Sequence, residues 1–79
     1  MDNSLKTISD LKPGEFAVIS EFHEETGSYL RLQELGLLPG AKIEVIRRAP
    51  LGGPMEIKIK NTHLSIRLKE ASHITVTLK

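Results

Sequence analysis

The second half of the chain alternates between apolar and polar residues with a period of two. A strand with one buried and one solvated face has this period, because successive side chains point to opposite faces. The apolar positions of the runs "MEIKIK", "LSIRL" and "ITVTL" are Met55, Ile57, Ile59, Leu64, Ile66, Leu68, Ile74, Val76 and Leu78. The pattern predicts three half-buried antiparallel strands, over 55–60, 64–68 and 74–78.

Two earlier runs also predict strands. The run "KIEVIRR" predicts a strand over 43–49. In it Ile43 and Val45 lie on one side and Ile46 lies on the other. The second run is "EFAVISEF". The apolar residues that share a face in this second run are Phe16, Val18 and Phe22.

One segment departs from the alternation, since "SYLRLQELG" is rich in helix formers and predicts a short helix over 28–35. Ser28 can cap its start. Leu32 and Leu35 share one stripe with Ser28, so we expect both leucines to fill the end of the molecule. Gly36 suits the left-handed residue that follows a helix end.

Turn residues separate these elements. Pro13 and Gly14 in "DLKPGE" predict a turn, because proline presets φ and glycine accepts a positive φ. "IKNTHL" predicts a hairpin connection in which Asn61 takes the left-handed conformation. Five short strands and one helix in 79 residues predict a single domain over 1–79, all-β in the main and folded as a small SH3-like or OB-like barrel.

The stretch "RRAPLGGPM" places Arg47 and Arg48 before two glycines at 52–53. A phosphate-binding loop needs free N–H groups at the start of a helix. Here a strand follows, and Pro50 and Pro54 remove two donors. The pattern therefore predicts a proline-bounded loop between two strands, and the loop can still bind a ligand because it is exposed and restricted.

Charge is unevenly distributed along the chain. Residues 1–40 carry three basic and seven acidic side chains, whereas residues 41–79 carry eight basic and three acidic ones. A basic face suits an acidic partner. RNA recognition usually needs exposed aromatic side chains for stacking, and no aromatic residue follows Tyr29. Nucleic-acid binding stays open as an alternative, but we expect no nucleic acid as the partner.

The sequence gives little support for a catalytic site or a metal site. The chain has no cysteine, its serines lack a nucleophile-elbow context, and a barrel of this size leaves little volume for a substrate cleft, so we expect a protein that is not an enzyme and has no cofactor. The stretch "HEE" offers His23 and Glu24 as weak metal ligands, with His63 and His73 far along the chain. Neighbouring residues on a strand point to opposite faces, so we expect no metal site.

Three motifs taken together resemble the FeoA family, the ferrous iron transport protein A domains. They are RL-x-x-LGL-x-PG-x-x-I-x-V, P-x-GGP-x-x-I and R-x-x-EA-x-x-I-x-V, in this order from Arg31 to Val76. With the weaker "LKPGEFAVI", the resemblance covers nearly the whole chain. Asn61 stands where the family tends to have glycine, and Ile66 replaces a leucine.

The resemblance implies an SH3-like barrel that is a small cytoplasmic accessory partner of FeoB, a membrane Fe(II) transporter with a cytosolic GTPase domain. Direct insertion into a membrane is not expected, and the N-terminus lacks the apolar region of a signal peptide. A weak Fe(II) or transition-metal-binding module is a further alternative.

Protein binding is the function class that the residues favour. The segment "LRLQELGLLPG" has more leucines than one core stripe needs, so some should be exposed, and exposed apolar patches mark partner sites. We expect this corner and the proline-bounded loop to form one docking surface, with Arg47 and Arg48 steering an acidic partner. Its predicted residues are Leu30, Arg31, Leu35, Gly36, Leu37, Leu38, Pro39, Gly40, Arg47, Arg48, Pro50, Leu51, Gly52, Gly53 and Pro54.

Overall fold

The computed structural model describes residues 6–23 and 27–78, and within them it forms six strands and two short α-helices. The elements in chain order are β1 (Lys6–Thr7), a 3-10 turn (Ile8–Asp10), β2 (Phe16–Phe22), α1 (Gly27–Glu34), β3 (Lys42–Arg48), β4 (Met55–Ile59), β5 (Thr62–Ile66), α2 (Leu68–Ala71) and β6 (Ile74–Leu78). The predicted class, a mainly β SH3-like barrel, is confirmed. The short β1 and α2 are additional to the predicted five strands and one helix.

All six strands belong to one antiparallel sheet, in the order β1-β6-β2-β3-β4-β5. β4 and β5 form a hairpin whose register runs from Ile59 opposite Thr62 to Met55 opposite Ile66. The pairing is interrupted by irregularities in β2 and in β3. Such bulges bend a strand and increase its twist, which helps a small sheet to curl around its core.

The predicted alternation of β3 and β4 is confirmed. Ile43 and Val45 are buried, as are Met55, Ile57 and Ile59, whereas the residues between them reach solvent at least in part. In the pairing of β3 with β4, Ile43 lies opposite Ile59 and Val45 lies opposite Ile57. The buried side chains of the two strands therefore meet on one face of the sheet.

The face predicted for β2 is not the one that enters the core. Ala17 and Ile19 are buried, whereas Phe16 is 42% exposed. The register shifts between Ile19 and Glu21, and beyond this bulge Phe22 packs partly against the core. A bulge changes which alternate residues face inward, and the period of the apolar residues alone does not reveal it.

Helix α1 begins and ends one residue earlier than predicted, and its core contacts differ. Tyr29 and Leu32 are buried, but Leu35 is exposed, so the prediction that Leu35 fills the core is wrong. The helix has already ended at Glu34, so Leu35 leaves the buried stripe. Ser28 lies inside the helix rather than before it, and its side chain is outside the described part of the structure.

The chain leaves β5 earlier than the alternation predicts. β5 spans Thr62–Ile66, and Leu68 begins α2 instead of continuing the strand. The buried Glu70 carboxylate accepts a hydrogen bond from the backbone N–H of Arg67 at 3.1 Å and so holds the first turn of α2. In the β4–β5 loop the left-handed residue is Lys60, with φ of 54°, and not Asn61.

Candidate partner-binding groove

The chain leaves α1 through a Schellman motif. The N–H of Leu37 donates to the carbonyl of Leu32 at 3.1 Å, and the N–H of Gly36 donates to the carbonyl of Gln33 at 3.0 Å. Gly36 has φ of 113°, a conformation that side chains rarely adopt, as the sequence predicted. Leu32 and Leu37 are both fully buried, which supplies the apolar contact that accompanies this motif.

The helix corner, residues 35–41, is then fixed to β2. The N–H of Gly40 donates to the carbonyl of Ile19 at 2.7 Å, and the N–H of Ile19 donates to the carbonyl of Ala41 at 2.9 Å. Within the corner, the N–H of Ala41 donates to the carbonyl of Leu38 at 2.9 Å. Leu37 is buried beneath the corner, so its side chain anchors the segment and is not available to a partner.

Apolar side chains from two elements converge beside this corner. Leu35 and Leu38 are 42% and 50% exposed, and Phe16 of β2 is exposed to the same extent as Leu35. All three line one open groove of about 860 Å³, together with Ile59 at the end of β4 and with Pro39. We call this surface the corner groove.

Charged side chains also line the corner groove. Lys42, Lys58 and Lys60 come from β3, from β4 and from the loop after β4, and they outnumber the acidic Glu34 and Glu44. The ammonium group of Lys42 lies 5.1 Å from the centroid of the Phe16 ring, within the range of a cation–π contact. The groove thus combines an apolar floor with a slightly positive surround.

The sequence prediction missed Phe16 and the three lysines as members of this surface. Their positions depend on strand pairing, because Glu44 of β3 lies between Phe16 of β2 and Lys58 of β4. The outward alternation of β2 and β4 was the available signal. Leu30 is half exposed and Arg31 is exposed, but neither lines the groove.

The proline loop, residues 49–54, lies at the other end of β3. The helix corner precedes Lys42 and the loop follows Arg48, so a whole strand, roughly 20 Å at 3.3 Å per residue, separates them. The predicted single surface of corner and loop is therefore two surfaces. Pro50, Gly52 and Pro54 are exposed in the loop, whereas Gly53 is half-buried.

The proline loop is held closed by two backbone hydrogen bonds and by a close approach of Gly53 to Ala49. The N–H of Ala49 donates to the carbonyl of Pro54 at 3.0 Å, and the N–H of Gly53 donates to that of Pro50 at 3.2 Å. A Cβ at Gly53 would lie 2.7 Å from the Cβ of Ala49, so this position requires glycine. Leu51 has φ of 60° and is fully exposed at 103%, and it presents an isolated apolar side chain to solvent.

A profile of the FeoA domain matches residues 6–78. The chain belongs to the FeoA domain family. This family is linked to ferrous iron transport and consists of small accessory domains. The family membership confirms the resemblance that the three motifs indicated.

Solved FeoA structures show the same fold. The FeoA protein from Chlorobium tepidum is 40% identical over 92% of this chain and 70% of that protein, with a TM-score of 0.86. Iron(II) transport protein A from Clostridium thermocellum is 34% identical over 92% of this chain and 45% of that protein, with a TM-score of 0.86. The FeoA of Stenotrophomonas maltophilia, complexed with zinc and described as an SH3 domain protein, is 25% identical over 90% and 88%, with a TM-score of 0.76.

The two arginines of this FeoA-family chain are already engaged in contacts. The Arg48 guanidinium donates from Nη1 to the carbonyls of Ser9 and Leu11, both at 2.9 Å. The Arg47 Nε lies 3.2 Å from Oε1 of Glu56 on the exposed face of the sheet. Arg48 therefore ties β3 to the 3-10 turn, and the mostly exposed Arg47 forms an ion pair with Glu56.

The histidines do not form a metal cluster in the part of the chain that the structure describes. Among those residues no group of three or more His, Cys, Asp or Glu side chains could hold an ion. The Nε2 of His23 is hydrogen-bonded to Oγ1 of Thr75 and lies 3.7 Å from Oε2 of Glu21. Glu24, the other predicted ligand, is outside the described residues.

Of the helices within 6–23 and 27–78, none has both the length and the apolar character that would let it cross a membrane.

Proposed function

We propose that this chain is a small cytosolic accessory protein of ferrous iron uptake, which docks on the cytosolic part of a FeoB-like membrane GTPase transporter and modulates it without catalysing a reaction. Membership of the FeoA family supports the link to iron transport. The observation that carries the docking proposal is the corner groove, where the exposed side chains of Phe16, Leu35 and Leu38 converge.

The exposure of these side chains has no explanation within the domain. Burying a leucine side chain contributes about 1.5–3 kcal/mol, and a contiguous exposed apolar patch is a common sign of a binding site. Leu37, which lies between the other two in sequence, is fully buried, whereas Leu35 and Leu38 point toward solvent. The same corner therefore contains both buried and exposed leucines.

The rigidity of the helix corner favours binding. Its backbone is tied to Ile19 of β2 just after Leu38, through Gly40 and Ala41, and the buried Leu37 anchors it just before Leu38. A partner that inserts an apolar side chain between Leu35 and Leu38 therefore meets a preformed surface and loses little entropy in ordering it.

The charges around the groove define the chemistry of the partner segment. A matching segment carries an apolar anchor, which contacts Leu38 and Phe16, and acidic side chains, which reach Lys42, Lys58 and Lys60. Lys42 and Lys60 are exposed and Lys58 is half-buried, so we expect their charges to act mainly on the rate of association and on its salt dependence.

The proline loop is proposed as a second and weaker contact. Leu51 is its one large apolar side chain, and it stands alone at the opposite end of β3 from the groove. An isolated apolar residue on a convex tip buries less area against a partner than a group of three in a groove. Leu30 and Arg31 on α1 are proposed to lie at the periphery of the docking surface.

An NMR titration with the cytosolic GTPase domain of the cognate FeoB-like protein tests this function. We expect amide shifts that cluster at 35–42 and 58–60, with smaller shifts at 50–54. A negative charge at the centre of the groove, Leu38→Glu, should weaken the affinity by at least about tenfold, as expected of a hot-spot residue.

The matched control is Leu51→Glu, which adds the same charge to another exposed leucine outside the groove. Urea denaturation of both variants checks that each remains folded. If the GTPase domain causes no shifts at saturating concentration, docking on that domain is wrong. If shifts occur but Leu51→Glu weakens binding more than Leu38→Glu does, the groove is not the main contact.

A further inference from the structure

The two edges of the sheet are built differently. Within the described residues β1 forms one edge, where it spans Lys6–Thr7 and carries the charge of Lys6. β5 forms the other edge and spans five residues, Thr62–Ile66, with no Lys, Arg, Asp, Glu or Pro among them. Proteins usually protect an edge strand by shortening it or by adding charges, prolines or bulges. By this criterion β1 is protected and β5 is open to pairing.

The outward backbone groups of β5 belong to His63 and Ser65. Ile59 and Thr62 close a two-residue loop and form a hydrogen-bonded pair, so Thr62, Leu64 and Ile66 bond to β4. The alternate residues then direct their N–H and C=O groups away from the sheet. Within the described residues, no backbone group of another element bonds to either of them, and both side chains are exposed.

We propose that this edge binds the same edge of a second copy of the chain, in an antiparallel pair with its two-fold axis at Leu64. In this register His63 of each copy lies opposite Ser65 of the other. Residues directly opposite in a hydrogen-bonded pair exchange two bonds, so the two symmetric pairs form four N–H···O=C bonds. The six-stranded sheet of each copy then continues into the other.

The side chains on the outer face support this register. His63 lies opposite Lys58 of β4, and Ser65 lies opposite Glu56. In the proposed dimer these side chains form a row across four adjacent strands. The order is Lys58 and His63 of one copy, followed by Ser65 and Glu56 of the second copy. No like charges are opposed, whereas a shift of two residues would place the two His63 side chains opposite each other.

The size of the strand pair predicts a weak dimer. Stable protein interfaces bury about 1,200–2,000 Å², and a single five-residue strand pair offers less. Leu64 is already almost completely buried within its own domain, so little further apolar surface is removed from water at the axis. We expect the chain to dimerise only at high protein concentration. This dimer proposal is independent of the proposed docking on a transporter.

Replacing Ser65 by proline tests the proposal at one backbone group. Proline lacks the N–H that would bond to the second copy, but that N–H points away from β4, where proline is tolerated in an edge strand. Ser65→Ala is the matched control because it removes the hydroxyl and keeps the N–H. In sedimentation-equilibrium measurements up to millimolar concentration, the wild type and Ser65→Ala should dimerise, and Ser65→Pro should dimerise at least about tenfold more weakly.

Amide hydrogen exchange of the wild type gives an answer that does not depend on any variant folding. The amides of His63 and Ser65 should exchange rapidly at micromolar concentration and more slowly at millimolar concentration, whereas those of Leu64 and Ile66 should be protected at both. A wild type that stays monomeric at millimolar concentration would overturn the proposal. So would a dimer in which folded Ser65→Pro associates as strongly as Ser65→Ala.

Discussion

The helix corner and the proline loop have similar sequences, since both combine leucine, glycine and proline, and they stand at the two ends of β3. Their structures differ in what holds them. The corner is tied to β2 through Ile19 and anchored by the buried Leu37. The loop is closed on itself by two backbone hydrogen bonds, and its leucine, Leu51, is fully exposed.

The difference shows what makes an exposed leucine useful for binding. In the corner, one buried leucine fixes the backbone, so its exposed neighbours Leu35 and Leu38 hold fixed positions beside Phe16. In the loop, Leu51 takes a left-handed conformation and is the one large apolar side chain of residues 49–54. The corner therefore presents a groove, and the loop presents a single side chain.

The largest difference should appear when the leucine side chains are truncated. Leu37→Ala should lower the free energy of unfolding by about 2–5 kcal/mol, because it leaves a cavity beneath the corner. Leu51→Ala should change it by less than about 0.5 kcal/mol, because the side chain contacts solvent. Urea denaturation measures both values. Equal losses would mean that the loop leucine is packed and that the contrast between the regions is false.

The glycines of the loop provide a second test. Gly53→Ala should cost about 1–3 kcal/mol, since the new Cβ would meet the Cβ of Ala49 at 2.7 Å. Gly52→Ala meets no atom within 4 Å and should cost about 1 kcal/mol through its positive φ alone. Adding Ala49→Gly to Gly53→Ala should recover part of the loss in urea denaturation. A Gly53→Ala variant as stable as the wild type would show that the loop is not held by this contact.

The smallest expected effect is a gain. Leu51→Asn should raise the free energy of unfolding by up to about 1 kcal/mol, because asparagine tolerates the left-handed conformation at φ of 60° better than leucine does. Leu38→Asn is the matched control at the corner, where φ is not positive, and it should give no gain. Thermal and urea unfolding can both resolve the difference. A gain at both positions would point to a general effect of exposed leucines rather than to backbone strain.

The strands and the left-handed Gly36 were predictable because each depends on local chemistry. The alternation of Met55, Ile57 and Ile59 needs only one solvated face, and a glycine after a helical segment needs only the geometry of the helix end. The FeoA family was also predictable, because three spaced motifs together are specific although each alone is weak.

The remaining features depend on contacts between distant residues. The bulge after Ile19 shifts the alternation of β2, so that Phe22 packs against the core beyond it. The position of the helix end decides that Leu35 is exposed. The corner groove is assembled from β2, β3, β4 and the corner, so Phe16 and Lys58 join it only through the strand register. The period of apolar residues along one segment carries no information on that register.

The most direct test of the account is the affinity of the cognate FeoB-like GTPase domain for the Leu38→Glu and Leu51→Glu variants, measured side by side with the wild type by NMR titration. If the corner groove is the docking surface, Leu38→Glu should lose at least about tenfold in affinity and Leu51→Glu much less. A folded Leu38→Glu variant that binds as tightly as the wild type, with shifts still at 35–42, would contradict the account.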